Sequence, residues 1–247
     1  MLGICALLVG VGCGEVDEEH EGAGELTVSA ASSLTKAFRG YAEVTEAEER
    51  FSFAGSDELA AQIRQGAPVD VYAAANTSLP QSLFEEGLVD EPVVFARNEL
   101  VLAVPLGSEI TEINDVTGSD VDLVIGAASV PIGDYTRELL DRVRTPLREG
   151  ILANVRSEEP DAKSIIAKLV SGAADVGFVY ETDVIAATDE LTALGLPRDL
   201  QPDISYAVAP VSGSDNPEAA RAFIDGLFSV AGRDELSRAG LDEPEGG

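Results

Sequence analysis

The chain has 247 residues, with 45 Asp+Glu against 16 Lys+Arg and a formal net charge of -29. That balance argues against nucleic acid and against a polybasic contact with membranes, because anionic phosphates would be repelled rather than neutralised. Hydrophobic residues at 45% argue equally against a disordered acidic chain, and the length suits one large domain or two smaller lobes.

At the N-terminus, Leu2 to Gly12 is an apolar run with Cys5 inside it and Cys13 at its end. It is too short to cross a bilayer as a helix, and no other segment reaches the ~18 apolar residues that a span requires. Residues 1–12 read as a secretory signal peptide, although the usual basic leader is missing. Gly10-Val11-Gly12-Cys13 resembles a bacterial lipobox, in which Cys13 would be lipidated; Gly10 stands where that pattern usually has Leu. The other reading is an ordinary signal peptide with a cysteine nearby. Residues 13–25 are acidic, contain the only histidine (His20) and read as a flexible tether. After cleavage before Cys13 no second cysteine remains, so neither a disulfide framework nor a zinc cluster is expected.

From Leu26 onward, apolar runs alternate with amphipathic stretches. Strands are predicted at Leu26–Ala31, Phe51–Ala54, Asp70–Ala75, Leu100–Pro105, Asp122–Ala127, Val176–Tyr180 and Ile204–Ala209. Helices are predicted to begin near Ser33, Ser56, Thr77, Pro131, Asp161, Glu181 and Asn216. This alternation indicates an α/β protein with mostly parallel sheets covered on both faces. Asn98–Pro105 reads as a long crossover strand and Tyr180–Asp183 as a second crossover. No internal repeat is visible.

The usual catalytic constellations are missing. A single histidine in a tether leaves no Ser-His-Asp or Cys-His system, and no Gly-rich phosphate loop is present. Carboxylate pairs will occur by chance among so many acids. Enzymatic activity is therefore not expected. The informative features are two strand-to-helix joints, Ser29-Ala30-Ala31-Ser32-Ser33-Leu34-Thr35 and Phe53-Ala54-Gly55-Ser56-Asp57-Glu58. Helix N-termini offer unpaired N–H groups and a partial positive charge, small residues admit an anion to the backbone, and serines add O–H donors. Each joint alone is equally explained by serine as an ordinary helix cap. Two of them on neighbouring strands, both at the edge where α/β sheets bind ligands, favour an anion site.

Ala30-Ala31-Ser32-Ser33-Leu34-Thr35 resembles the opening motif of the molybdate-binding proteins of ABC importers, which have the type II periplasmic-binding-protein fold. The similarity continues through Gly55-Ser56, Leu59-Ala60-Ala61-Gln62-Ile63, Gly66–Ala75, Val130–Tyr135, Gly177–Asp183 and Tyr206-Ala207-Val208, in that order, covering Leu26 to Leu241. It implies two α/β lobes, residues 26–97 plus 184–247 and residues 98–183, joined by two crossover strands and closing on a dehydrated tetrahedral oxyanion. The implied ligand is molybdate or tungstate, with no further cofactor. The donors it implies are Ser33 and Ser56 (hydroxyl and backbone N–H), the backbone N–H groups of Ile132 and Ala162, and the hydroxyl of Tyr180. Ile132 stands where the family usually has Ala, and the residues around Ala162 depart from the usual local pattern. Tyr180 also has a plain reading as a core aromatic ending a strand.

The implied partners are an ABC permease and its ATPase, for an exported, monomeric protein held to the membrane only by lipid. Sulfate or phosphate as the ligand, and a signalling or scavenging lipoprotein on the same fold, are the alternatives. Asp57 replaces a usual Ser or Gly. Either it serves its own helix dipole and points to solvent, or it accepts a hydrogen bond from a protonated anion. The net charge bears on habitat and on-rate rather than on the site: there are only three lysines, a pattern suited to a salty medium, and anion association should speed up as ionic strength rises.

Overall fold

The computed structural model describes residues 26–45 and 49–244. The signal segment 1–12, the tether 13–25, Cys13 and His20 lie outside the described residues, as do 46–48 and 245–247.

Two five-stranded sheets organise the chain. In chain order, β1 (Leu26–Ala31), β2 (Glu49–Ala54), β3 (Val71–Ala74) and β4 (Val93–Asn98) belong to the first. The second takes β5 (Leu100–Pro105), β6 (Leu123–Gly126), β7 (Val155–Glu159), β8 (Val176–Tyr180) and β9 (Leu191–Gly195), after which β10 (Ile204–Pro210) rejoins the first. The orders are β2-β1-β3-β10-β4 and β7-β6-β8-β5-β9, so both lobes share one topology. In each, three strands run parallel, the fourth runs antiparallel, and the outermost reverses again. The expected two-lobe α/β architecture is present, with mixed rather than purely parallel sheets.

The helices are α1 (Thr35–Thr45), α2 (Ser56–Arg64), α3 (Ser78–Glu85), α4 (Pro131–Arg142), α5 (Thr145–Ala153), α6 (Ala162–Val170), α7 (Glu181–Ile185), α8 (Pro217–Leu227) and α9 (Val230–Arg238). β3 shows why its sequence is a continuous apolar run. Val71 and Ala73 pack into the main core, whereas Tyr72 and Ala74 enter a second layer with Leu59 and Ile63 of α2 and Leu83 of α3. A strand buried on both faces cannot alternate. On the main-core face, Phe38 of α1 meets Phe223 of α8 edge to face, with ring centroids 5.4 Å apart.

The structure adds three strands and two helices to those predicted: β4, of which the sequence marks only Asn98, together with β7, β9, α5 and α9. The first crossing is where the sequence places it, with β4 ending at Asn98 and β5 starting at Leu100. The second is later than Tyr180–Asp183. β9 pairs with β5 in register Val101↔Gly195 to Pro105↔Leu191, so the stretch through Gly195 belongs to the second sheet rather than to the first lobe. The chain returns between Gly195 and Ile204, and Gln201 there joins the two crossings. Its side-chain amide accepts from the Leu100 N–H (3.1 Å) and donates to the Leu100 carbonyl (2.8 Å), imitating a strand pair.

Candidate functional site

The parallel strands of both lobes end at a shared seam. β1 turns at Ala31 through Ser32–Leu34 into α1, and β2 passes Gly55 into α2. From the other lobe, β6 leads to Val130 and α4, and β7 leads through Pro160 and Asp161 to α6. Between them lies a cavity of about 20 Å³ lined by Ser33, Ser56, Ile132, Ala162 and Tyr180, together with Ala31, Ser32, Ala54, Gly55, Ala75, Val130, Pro131, Pro160 and Asp161. All five residues anticipated from the sequence line this one space. Its size suits a compact polar occupant. A larger hollow of about 210 Å³ beside Leu227, Leu236 and Pro244 lies away from the strand ends, and its Arg233 is paired with Glu243.

Local sequence explains how the backbone reaches the seam. Pro131 opens α4, where its missing N–H costs nothing, and Ile132 follows as the second helical residue. Ala162 is the first residue of α6, capped by Asp161, whose carboxylate accepts from the Ser164 N–H at 2.7 Å. Neither Ile132 nor Ala162 has an acceptor for its N–H inside its own helix. Gly133 is required by contact: a Cβ there would sit 1.8 Å from the Ala127 carbonyl oxygen. At Gly55 a Cβ would meet the Pro160 carbonyl of the other lobe at 3.0 Å, so glycine permits the two rims to close together.

The hydroxyls differ in how they are held. Ser56 is buried, and its Oγ accepts from the Ala75 N–H at 3.1 Å, which leaves its own hydrogen free for the cavity. Ser33 Oγ lies 2.9 Å from the Tyr206 hydroxyl. Tyr180 is 2% exposed, and its hydroxyl, fully buried, has no hydrogen-bond partner among the described residues. Its ring is packed between Tyr206 (5.8 Å) and Tyr135 (6.5 Å), one from each lobe. An unsatisfied buried hydroxyl is costly and rare in a core position, which argues for a partner that arrives from outside. Burial pushes the Tyr180 phenol far above its usual range, so it remains an O–H donor.

Neither Lys nor Arg lines the cavity. Its polarity comes from neutral hydroxyls, helix N-termini and the peptide N–H groups around them, with one carboxylate, Asp161, turned to the Ser164 N–H, an arrangement that stabilises an anion by pointing donors at it. Beneath it, buried Asp183 accepts from the Tyr180 N–H at 3.2 Å. Burial pushes Asp183 up to about 7, against the lowering effect of that hydrogen bond, and the nearby Asp161 charge raises it further. Asp57 meets neither of its two expectations in full. One carboxylate oxygen is buried without a hydrogen-bond partner beside Gly55 at the seam, but the residue does not line the cavity. Tyr206, Asn98 and Asp183 support the site; the sequence places them in family motifs and in the crossover strands but assigns them no role there. The available signal was a polar group inside an otherwise apolar strand end.

A family model described as bacterial extracellular solute-binding protein matches residues 26–242. The molybdate-binding protein ModA of Mycobacterium tuberculosis is 33% identical over 232 residues, covering 91% of this chain and 87% of that protein. ModA of Haemophilus influenzae is 31% identical, covering 86% and 87%. Among solved structures, the periplasmic molybdate-binding protein of Azotobacter vinelandii superposes with a TM-score of 0.79 over 90% of this chain and all of that one, at 21% identity.

Proposed function

Because the chain belongs to the bacterial extracellular solute-binding protein family, we propose that it captures molybdate, or the closely matched tungstate, between its lobes and delivers it to the permease and ATPase of an ABC importer. The protein acts outside the cytoplasm as a monomer, held at the membrane by lipid on Cys13. The relatives named for molybdate support the choice of anion, and the observation that carries the reading is the buried, unpartnered hydroxyl of Tyr180, a residue that lines the same cavity as Ser33 and Ser56.

The mechanism follows from the donor set. A fully deprotonated tetrahedral oxyanion offers only acceptors, and the cavity offers O–H groups from Ser33, Ser56 and Tyr180 with N–H groups from both rims. Such charge-assisted bonds contribute about 1.5–3 kcal/mol each, so several together support micromolar or tighter binding. The first-lobe donors hold the anion while the lobes are apart, and rotation about the crossings at Asn98–Leu100 and Gly195–Ile204 brings in Tyr180, Ile132 and Ala162. Hydrogen phosphate would carry a proton into a lining whose Ser56 oxygen already accepts from the Ala75 N–H and whose one carboxylate, Asp161, is committed to capping α6. Sulfate has the right charge but shorter bonds to oxygen. Titration calorimetry with molybdate, tungstate, sulfate and phosphate tests the reading. Tight molybdate and tungstate binding with weak sulfate and phosphate responses is expected; tight phosphate binding with no molybdate response would overturn it.

A further inference from the structure

A buried chain of hydrogen bonds runs from the first crossing to the cavity. Asn98, the last residue of β4, is 5% exposed and stands where the chain passes between lobes. Its Oδ1 accepts from the Glu99 N–H at 2.9 Å. The two hydrogens of its Nδ2 are both committed, one to Thr182 Oγ1 and one to the Tyr206 hydroxyl oxygen, each at 3.0 Å. Tyr206 is wholly buried, and its oxygen lies 2.9 Å from Ser33 Oγ. We propose that Asn98 and Tyr206 are positioning residues that fix the direction of the Ser33 hydroxyl, committing its hydrogen to the cavity and so favouring fully deprotonated over protonated oxyanions.

The direction follows from donor counting. An amide nitrogen can only donate, so Tyr206 receives a hydrogen from Asn98; among the described residues the Ser33 oxygen is the remaining partner at its hydroxyl, and the Tyr206 hydrogen is directed there. Ser33 Oγ then accepts from Tyr206 and turns its hydrogen into the cavity. With one lone pair engaged and its hydrogen turned to the anion, Ser33 favours an anion that only accepts over one that must also place a proton. Burial keeps the Tyr206 phenol protonated at any ordinary pH, so the relay does not reverse by ionisation. The inference rests on the reading of the cavity as an oxyanion site.

Three variants, Tyr206→Phe, Asn98→Asp and the double change, are compared with wild type by calorimetry with molybdate and phosphate, alongside thermal unfolding. Tyr206→Phe should weaken molybdate about tenfold and weaken phosphate less, narrowing the discrimination severalfold, because the Ser33 hydroxyl is then free to turn away from the anion and to offer an oxygen lone pair to the phosphate proton. Asn98→Asp presents a carboxylate that takes the Tyr206 hydrogen, forcing Ser33 to donate to Tyr206 instead of to the anion. Its molybdate loss should therefore match or exceed that of Tyr206→Phe in the single variant and vanish when added to it. Equal weakening of both anions by Tyr206→Phe, or an Asn98→Asp loss that persists undiminished in the double variant, would reduce the relay to packing and overturn the inference. Wild-type affinities in every variant would also overturn it while leaving the cavity reading intact. A wild-type chain unresponsive to molybdate would bring down both.

Discussion

The two lobes share a strand order and contribute equivalent joints to the seam, yet they equip those joints differently. In the first lobe, β1 and β2 lead to Ser33 and Ser56, and β3 leads to Ala75. In the second, β6 and β7 lead to apolar residues, Ile132 and Ala162, whose N–H groups alone can serve, and β8 ends at the hydroxyl of Tyr180. The serine oxygens are already fixed by Ala75 and Tyr206, whereas Tyr180 Oη has no partner. One rim is thus satisfied before a ligand arrives, and the other is completed by it. The same topology supports both because helix N-termini supply the common part, and the side chains divide the labour of holding and closing.

The largest effect that this contrast predicts is at the satisfied rim. Ser33→Ala combined with Ser56→Ala removes two charge-assisted donors and should weaken molybdate by about 10²–10⁴-fold. It should also destabilise the unliganded protein by roughly 1–3 kcal/mol, because the buried Ala75 N–H loses its acceptor. Calorimetry and urea melts read the two consequences, and lost affinity with unchanged stability would show that this rim is not built in advance.

A smaller effect concerns Asp183, beneath the open rim. Its carboxyl rises from 3.8 in the unfolded chain to about 7 when folded, chiefly through burial. The folded state therefore favours the protonated form, so stability present below pH 4 is lost as the pH climbs through 7. The unfolding free energy should fall by on the order of a few kcal/mol across that window. Asp183→Asn, which keeps an acceptor for the Tyr180 N–H, should flatten this slope in melts at pH 5 and pH 8. Identical slopes in both proteins would contradict the assignment.

Legibility in the sequence followed burial. The central strands β1, β3, β5, β6, β8 and β10 announce themselves because both faces are covered and the residues are mostly apolar. The strands that went unseen, β4, β7 and β9, are sheet edges. β7 reads Val-Arg-Ser-Glu-Glu with one face exposed, a pattern indistinguishable from a loop. Missing β9 is what misplaced the second crossing. The five lining residues were legible because helix starts carry local signals and the motifs resemble a known family. The Asn98–Tyr206–Ser33 chain was not, since its members are 108 and 173 residues apart and no local pattern links them.

The most direct test removes one oxygen atom. Tyr180→Phe deletes a hydroxyl that has no partner until an anion arrives, so molybdate affinity should fall about 10–100-fold, while the melting temperature of the unliganded protein stays level or rises. Affinity that survives while the melting temperature drops would place Tyr180 in the core and contradict its role as the closing donor.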